Sequence, residues 1–373
     1  MNARADSAAT LRRLDALFDS PELFPARLDL AADRVRLTPM TAASYARSPF
    51  LDERIERSGG GDLGMSLAEL VEAYRRIDPP RRPAHYLFHI GHCGSTLLSR
   101  MLGEVDGILS LREPPPLHAL AQQRRTQGSA DDKGWRDAFD LTVHLLSRTF
   151  DAREVALVKP NSHANNLLAE LMSWHADSRA ILLYVDLETY LATMLRPPAR
   201  RETVRAVGES RLADFRQRTG DGGPDALDDA RRAALVWLVQ MREFVDVLDS
   251  PQLRPRARAI EFGAFLSRCR EALAAAAAFL GRAADGAALD RAFDPALAGQ
   301  YSKRPGRTFD AAARAGMLES ARHAHAGEIA AGMEWAAAVC ARYPEFQPLA
   351  GGTLPAARAS QWTAARHRDN CWF

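Results

Sequence analysis

Cysteine is scarce in this chain. Its four cysteines among 373 residues (Cys93, Cys269, Cys340, Cys371) are scattered and form no CxxC pair. That spacing offers no disulfide framework and fits a reducing compartment. No stretch approaches about 18 uninterrupted apolar residues, which excludes a membrane-spanning helix. The opening MNARADSAATLRRLDALF mixes acids and bases and lacks the apolar run of a secretory signal, so the expected location is cytoplasmic. Cys371, third from the end, does not make a prenylation box. Neither charge sign dominates: 49 Lys and Arg against 47 Asp and Glu leave a net charge of +2. This excludes the broad basic surface of a nucleic-acid binder but leaves room for a local basic site for a small polyanion. No zinc-type ligand spacing occurs, and His323 and His325, two apart in a helical stretch, fall on different faces. No metal is therefore expected, and neither is a membrane or nucleic-acid partner.

What remains is a chain of ordinary apolar content, 47%, long enough for one large domain with an appendage. Residues 1–82 read as a helical, peripheral N-terminal extension. Within it, Ser66 to Tyr74 has apolar residues at helical spacing behind a Ser66/Glu69 capping box. From residue 84 the pattern changes to short apolar runs: Tyr86–Ile90, Ile108–Leu111, Val155–Val158, Ala180–Val185 and, more weakly, Arg256–Glu261. Such unalternating runs suit strands buried on both faces. The intervening stretches are long enough for crossover helices, which predicts an α/β fold with a parallel sheet flanked by helices over 83–345. Helices are expected over Ala226–Leu248, over Arg270–Leu280 with Gly281 as its stop, and, as one or two, over Phe309–Ala341. Residues 346–373 read as a tail.

The most informative segment is His85-Tyr-Leu-Phe-His-Ile-Gly-His-Cys-Gly-Ser-Thr-Leu-Leu-Ser-Arg-Met-Leu102. An apolar strand enters a loop of small residues and leaves as an amphipathic helix. That order aims backbone N–H groups and the positive end of the helix dipole at one spot, the arrangement that binds phosphate. Gly91 and Gly94 allow close backbone approach, and Ser95 and Thr96 supply hydroxyls where the helix begins. The stretch His89–Thr96 is thus a candidate P-loop. Against the nucleotide-hydrolase pattern G-x-x-x-x-G-K-[ST], His89 stands for the first Gly and Ser95 for the Lys that bridges phosphates. Asp186, ending an apolar run, has the placement of a metal-binding acid, so an ATP–Mg²⁺ kinase or hydrolase using Thr96 and Asp186 stays open. A non-catalytic nucleotide-binding module does too.

The string His92-Cys93-Gly94-Ser95-Thr96-Leu97-Leu98 resembles the phosphosulfate-binding loop of sulfotransferases that use 3′-phosphoadenosine 5′-phosphosulfate (PAPS). The Gly-Ser-Thr-Leu-Leu core matches. His92 replaces the family's cation and Cys93 its small polar residue, as in divergent bacterial sulfotransferase-like proteins. Leu111-Arg-Glu-Pro114 resembles the place after the second strand where several members carry a catalytic Glu. Val158-Lys-Pro-Asn161 resembles a strand-ending Lys followed by Pro, and Arg258–Leu266 followed by Phe279-Leu-Gly281 resembles a late strand–helix unit. The similarity spans roughly residues 84–310.

The resemblance implies transfer of a sulfuryl group from PAPS to a hydroxyl or amine of a small-molecule or glycan acceptor, without a metal. It makes Glu113 the general base and Lys159 the group that stabilises the leaving phosphate, with His92 in the loop. Gly91, His92, Cys93, Gly94, Ser95 and Thr96 are then the donor-binding residues. Cys93 is read as a small loop-filling residue, and His118 and His163 as possible lining of the acceptor pocket. The family's 3′-phosphate pair, an Arg and a hydroxyl eight positions later, maps onto Val185 and Thr193. Valine cannot supply the charge, so Thr193 is expected to act with Lys303, Arg304 and Arg307 of the basic Gly- and Pro-bearing loop Tyr301–Arg307. Arg196, Arg200 and Arg201 have the look of either a further phosphate contact or a solvated face.

Overall fold

A computed structural model of the chain describes residues 16–57, 59–127, 132–221, 227–294 and 311–355. Its main sheet has five strands: β4 (Ala84–His89), β5 (Ile108–Arg112), β6 (Val155–Lys159), β7 (Ala180–Tyr184) and β8 (Ala257–Glu261), in the order β5-β6-β4-β7-β8. β4 and β5 both pair with β6 in parallel, with Ala84 opposite Ala156 and Arg112 opposite Lys159. Every residue of β4, β5, β6 and β7 is buried. That explains their unbroken apolar spelling, since a strand covered on both faces has no solvent side on which to alternate. The α/β reading of the sequence holds, and the five observed strands fall on the five apolar runs.

The helical reading of residues 1–82 needs correction. Residues 23–66 form a three-stranded antiparallel sheet, in which β2 (Arg34–Pro39) pairs with both β1 (Leu23–Asp29) and β3 (Leu63–Ser66). In β2 the alternation is plain: Arg34 and Arg36 are exposed while Val35 and Leu37 are buried. A bulge between Pro25 and Arg27 breaks the same rhythm in β1, where Pro25 and Ala26 are both buried. Leu67–Ile77 is the anticipated helix, and Ala42–Arg47 is a second, short one. Ser66 Oγ accepts from Glu69 N, and Asp78 ends the helix in a left-handed conformation. The Ser66 hydroxyl turns to Asp33, whose carboxylate also takes Ala68 N.

The chain divides into two compact units. One comprises residues up to 88 together with 98–180 and 277–292, and the other 89–97, 181–276 and the residues from 293. In the first unit the N-terminal segment is gripped through its main chain. Arg148 is buried and donates to the carbonyls of Leu17, Ser20 (2.7 Å), Leu23 (2.9 Å) and Leu145 (2.7 Å). Burial lowers its guanidinium to about 10. Arg112, equally buried, donates to the carbonyls of Tyr45 and Ala46. In the second unit, helix Asp229–Asp249 carries the longest apolar face, with Leu235, Trp237, Leu238, Met241 and Phe244 all fully buried. Helix Cys269–Phe279 stops before Gly281 (φ +77°), and two helices, Ala311–Ala324 and Ala326–Arg342, occupy the late helical stretch.

Candidate functional site

The loop after β4 has an unusual backbone. Gly91 (φ +79°), His92 (+53°) and Gly94 (+81°) all take the left-handed conformation just before helix Ser95–Gly103. For His92, the one non-glycine among them, that conformation is costly, and it persists because the loop is pinned around it. Gly91 N donates to His89 Nδ1 (3.0 Å). Gln240, buried on helix Asp229–Asp249, donates through Nε2 to the Ile90 carbonyl (3.1 Å). Cys93 is fully buried and its Sγ–H points at the Leu183 carbonyl (3.5 Å). It packs the loop and is not presented as a nucleophile. Gly94 is required twice over: its φ is positive, and a Cβ there would land inside the ring of Phe262. Phe262 is itself buried, stacks on Phe265 and carries Arg314 over its face at 5.2 Å. Ser95 and Thr96 sit, largely buried, at the helix start.

Within the first unit, the ends of β5 and β6 bring together Glu113, Lys159 and Asn161. Glu113 adopts φ +57° directly after β5, and its N–H donates to the Lys159 carbonyl (2.7 Å). Lys159 Nζ donates to Glu113 Oε1, and Asn161 Nδ2 donates to Oε2 at 3.0 Å. Asn161 Oδ1 in turn accepts from His163 N, which fixes the orientation of the amide. Lys159 has 0% side-chain exposure against 15% for Glu113. The chain contains three lysines, Lys133, Lys159 and Lys303, and a completely buried one held by a single carboxylate is a costly placement. Glu113 is thus ion-paired with a neighbouring cation, Lys159, while Arg112 donates to the Tyr45 and Ala46 carbonyls. His118 and His163 do meet, with ring centroids 5.2 Å apart. Asn161 was spelled out in the sequence motif without a role, and nothing in the local sequence marks Phe50, whose ring lies 5.6 Å from Lys159 Nζ.

Asp186 has a structural task. Its carboxylate caps helix Leu187–Leu195, with Oδ1 accepting from Thr189 N and Oδ2 from Thr189 Oγ1, both at 2.8 Å. Thr189 Oγ1 also receives Arg322. Val185 is buried, and its carbonyl accepts from Trp237 Nε1 (2.9 Å). Thr193 lies half-buried on the same helix, and its carbonyl takes Arg200 Nη1 (2.6 Å). Arg201 binds the Leu195 carbonyl and the carboxylates of Asp229 and Glu328. Arg200 and Arg201 thus serve the carbonyl end of a helix. Lys303, Arg304 and Arg307 lie outside the described residues. Among the described residues no cluster of His, Cys, Asp and Glu could hold a metal ion, and no helix is long and apolar enough to cross a membrane.

No protein-family model and no curated protein sequence matches the chain. Solved structures to which it is similar include the sulfotransferase domain from the curacin biosynthetic pathway, at 14% identity over 58% of this chain and 79% of that one, TM-score 0.39. The sulfotransferase domain of the Synechococcus PCC 7002 olefin synthase aligns at 13% identity over 65% and 95%, TM-score 0.35. A sulfotransferase from Alicyclobacillus acidocaldarius aligns at 15% over 55% and 83%, TM-score 0.32. At these values the likeness carries no argument about what the chain does, and a functional reading has to start from its own residues.

Proposed function

We propose that the chain is a sulfotransferase-like enzyme that transfers a sulfuryl group from PAPS to a hydroxyl or amine of a small-molecule or glycan acceptor. The observation that carries this reading is the run of left-handed residues Gly91, His92 and Gly94 before a helix start, spelled with the Gly-Ser-Thr-Leu-Leu core. A glycine-bearing loop of this conformation leading into a helix N-terminus suits an anionic phosphosulfate. Glu113 takes the acceptor proton as the acceptor oxygen or nitrogen attacks sulfur and the bond from sulfur to the leaving phosphate oxygen breaks. Once Glu113 is protonated, Lys159 loses its counter-charge and becomes available to the negative charge developing on that oxygen. His92 adds a donor within the loop.

The ATP–Mg²⁺ reading is weakened on two counts. Ser95 stands where the phosphate-bridging Lys is needed, and both carboxylate oxygens of Asp186 are engaged by Thr189. For the 3′-phosphate, buried Val185 offers no charge, so Arg304 or Arg307, with Lys303 and the Thr193 hydroxyl, is proposed to hold it. Calorimetric titration tests the reading. Adenosine 3′,5′-bisphosphate is expected to bind without metal and more tightly than ATP–Mg²⁺, whereas metal-dependent ATP binding or turnover would replace sulfuryl with phosphoryl transfer. Arg304→Ala or Arg307→Ala is expected to weaken the bisphosphate about tenfold, the worth of a charge-assisted contact, and to leave adenosine 5′-monophosphate unaffected.

A further inference from the structure

The N-terminal segment reaches the Glu113–Lys159 pair. Leu51 N donates to the Arg112 carbonyl (2.8 Å), which fastens the segment beside the end of β5. The Phe50 ring, 1% exposed, has Lys159 Nζ at 5.6 Å from its centroid and the Arg54 guanidinium carbon at 3.7 Å. Two cations therefore share one aromatic ring, a favourable but restrictive placement. Arg54 is held there by Asp52, with Nε donating to Oδ1 (2.8 Å) and Nη2 to Oδ2. Lys159 is sealed from solvent, whereas the Arg54 side chain is 48% exposed.

The charges of this segment sit beside the Glu113–Lys159 pair, across the Phe50 ring. Burial alone would raise the Asp52 carboxyl, but the hydrogen bonds and charge of Arg54 bring it below its ordinary value, with Glu113 opposing. Arg54 is raised first by its hydrogen bond to Asp52, then, against burial, by the charges of Asp52, Glu113 and Glu53. Lys159 and Asn161 contact Glu113 from the end of β6, and the Phe50 ring that Lys159 shares with Arg54 brings the N-terminal segment to the same neighbourhood. The paired rings of His118 and His163 stand on the elements that follow Glu113 and Asn161.

We propose that Arg54 and Asp52, mounted on Phe50, are positioning residues of the Glu113 centre: Arg54 favours the carboxylate, Asp52 opposes it, and Phe50 holds Arg54 and Lys159 at fixed places around it. The inference rests on the reading of Glu113 and Lys159 as the reacting pair. It makes residues 50–54 part of the reactive centre and not a peripheral appendage.

A thiol at position 113 reads the field directly, without an acceptor. In Glu113→Cys the ionisation of the new thiol is followed by the pH dependence of alkylation with iodoacetamide, resolved by mass spectrometry from the native cysteines. Adding Arg54→Ala is expected to raise the thiol midpoint by about half a unit, about threefold less thiolate below it, and adding Asp52→Asn to lower it by a similar amount. Arg54→Lys, which keeps the charge, is expected to match the parent. Opposite signs from two adjacent substitutions cannot come from loosened packing. No shift, or shifts of one sign, would overturn the proposal. The titration is independent of nucleotide: a wild-type protein that fails to bind the bisphosphate would defeat sulfuryl transfer while leaving the thiol shifts as evidence on residues 50–54.

Discussion

Replacing Gly94 by alanine tests whether the loop is built as described. Two costs arise. A non-glycine residue at φ +81° loses about 1–2 kcal/mol to left-handed strain. The new methyl also overlaps the Phe262 ring, which is buried against Phe265 and beneath Arg314 and cannot swing away. Overpacking of that kind costs about 1–3 kcal/mol, so Gly94→Ala is expected to lose roughly 2–5 kcal/mol in urea unfolding. The double variant Gly94→Ala/Phe262→Ala separates the two terms. Phe262→Ala alone opens a cavity, but in its presence Gly94→Ala should cost only the strain, so the pair should couple by about 1–3 kcal/mol. Bisphosphate affinity measured alongside should fall in Gly94→Ala, because the N–H groups before the helix are displaced. A loss under about 1 kcal/mol, or additive effects in the double variant, would show that Phe262 does not set the shape of the loop.

Glu113→Gln should leave bisphosphate affinity nearly intact and cut turnover by about 10²-fold or more, the scale of a lost general base; Lys159→Ala should lower turnover as well, and wild-type rates in both would refute the catalytic assignment. Arg112→Met removes the donor to the Tyr45 and Ala46 carbonyls and is expected to cost about 2–4 kcal/mol in denaturant unfolding, together with faster proteolysis between residues 45 and 57; unchanged stability would show the grip to be idle. Acid should weaken the first unit. Burial, with Arg179 adding, lowers His85 to about 4, and burial lowers His144 to about 4. The native state therefore takes up fewer protons than the unfolded one between about pH 6.5 and 4. Stability is expected to be full above pH 6.5 and to fall by up to about 3 kcal/mol per histidine as the pH drops to 4; His144→Gln should flatten part of that slope, and an unaltered slope would refute the assignment.

The parallel sheet was legible because strands covered on both faces write themselves as unbroken apolar runs, and Ile108–Arg112 and Val155–Lys159 fall where those runs stand. The loop was legible for a similar reason: few residues other than Gly tolerate φ near +80°, so Gly91 and Gly94 mark the turn. The N-terminal sheet was not. Its alternation is clear only across Arg34 to Leu37, and the bulge after Pro25 scrambles the neighbouring strand. Glu113 and Lys159 could be named from their motifs, but the distant Phe50 and Arg54 could not, because an aromatic ring shared by two cations leaves no spacing rule in the chain. Asp186 could be read either way. A strand-terminal acid reads alike whether it binds a metal or, as here, closes the first turn of a helix.

Arg112 and Arg148 grip carbonyls, and every residue has one. The path of residues 17–46 past these two guanidinium groups is therefore specified without reference to the side chains along it, apart from those that face the core. Asp52, Glu53 and Arg54 ride on a segment anchored in this way, with Leu51 tied by its own N–H to the Arg112 carbonyl. The charges on this segment can thus be exchanged while the track that carries them stays put. Such an arrangement separates holding from choosing: two arginines fix the track, and the three exposed or half-exposed positions 52–54 along it are free to change their charge.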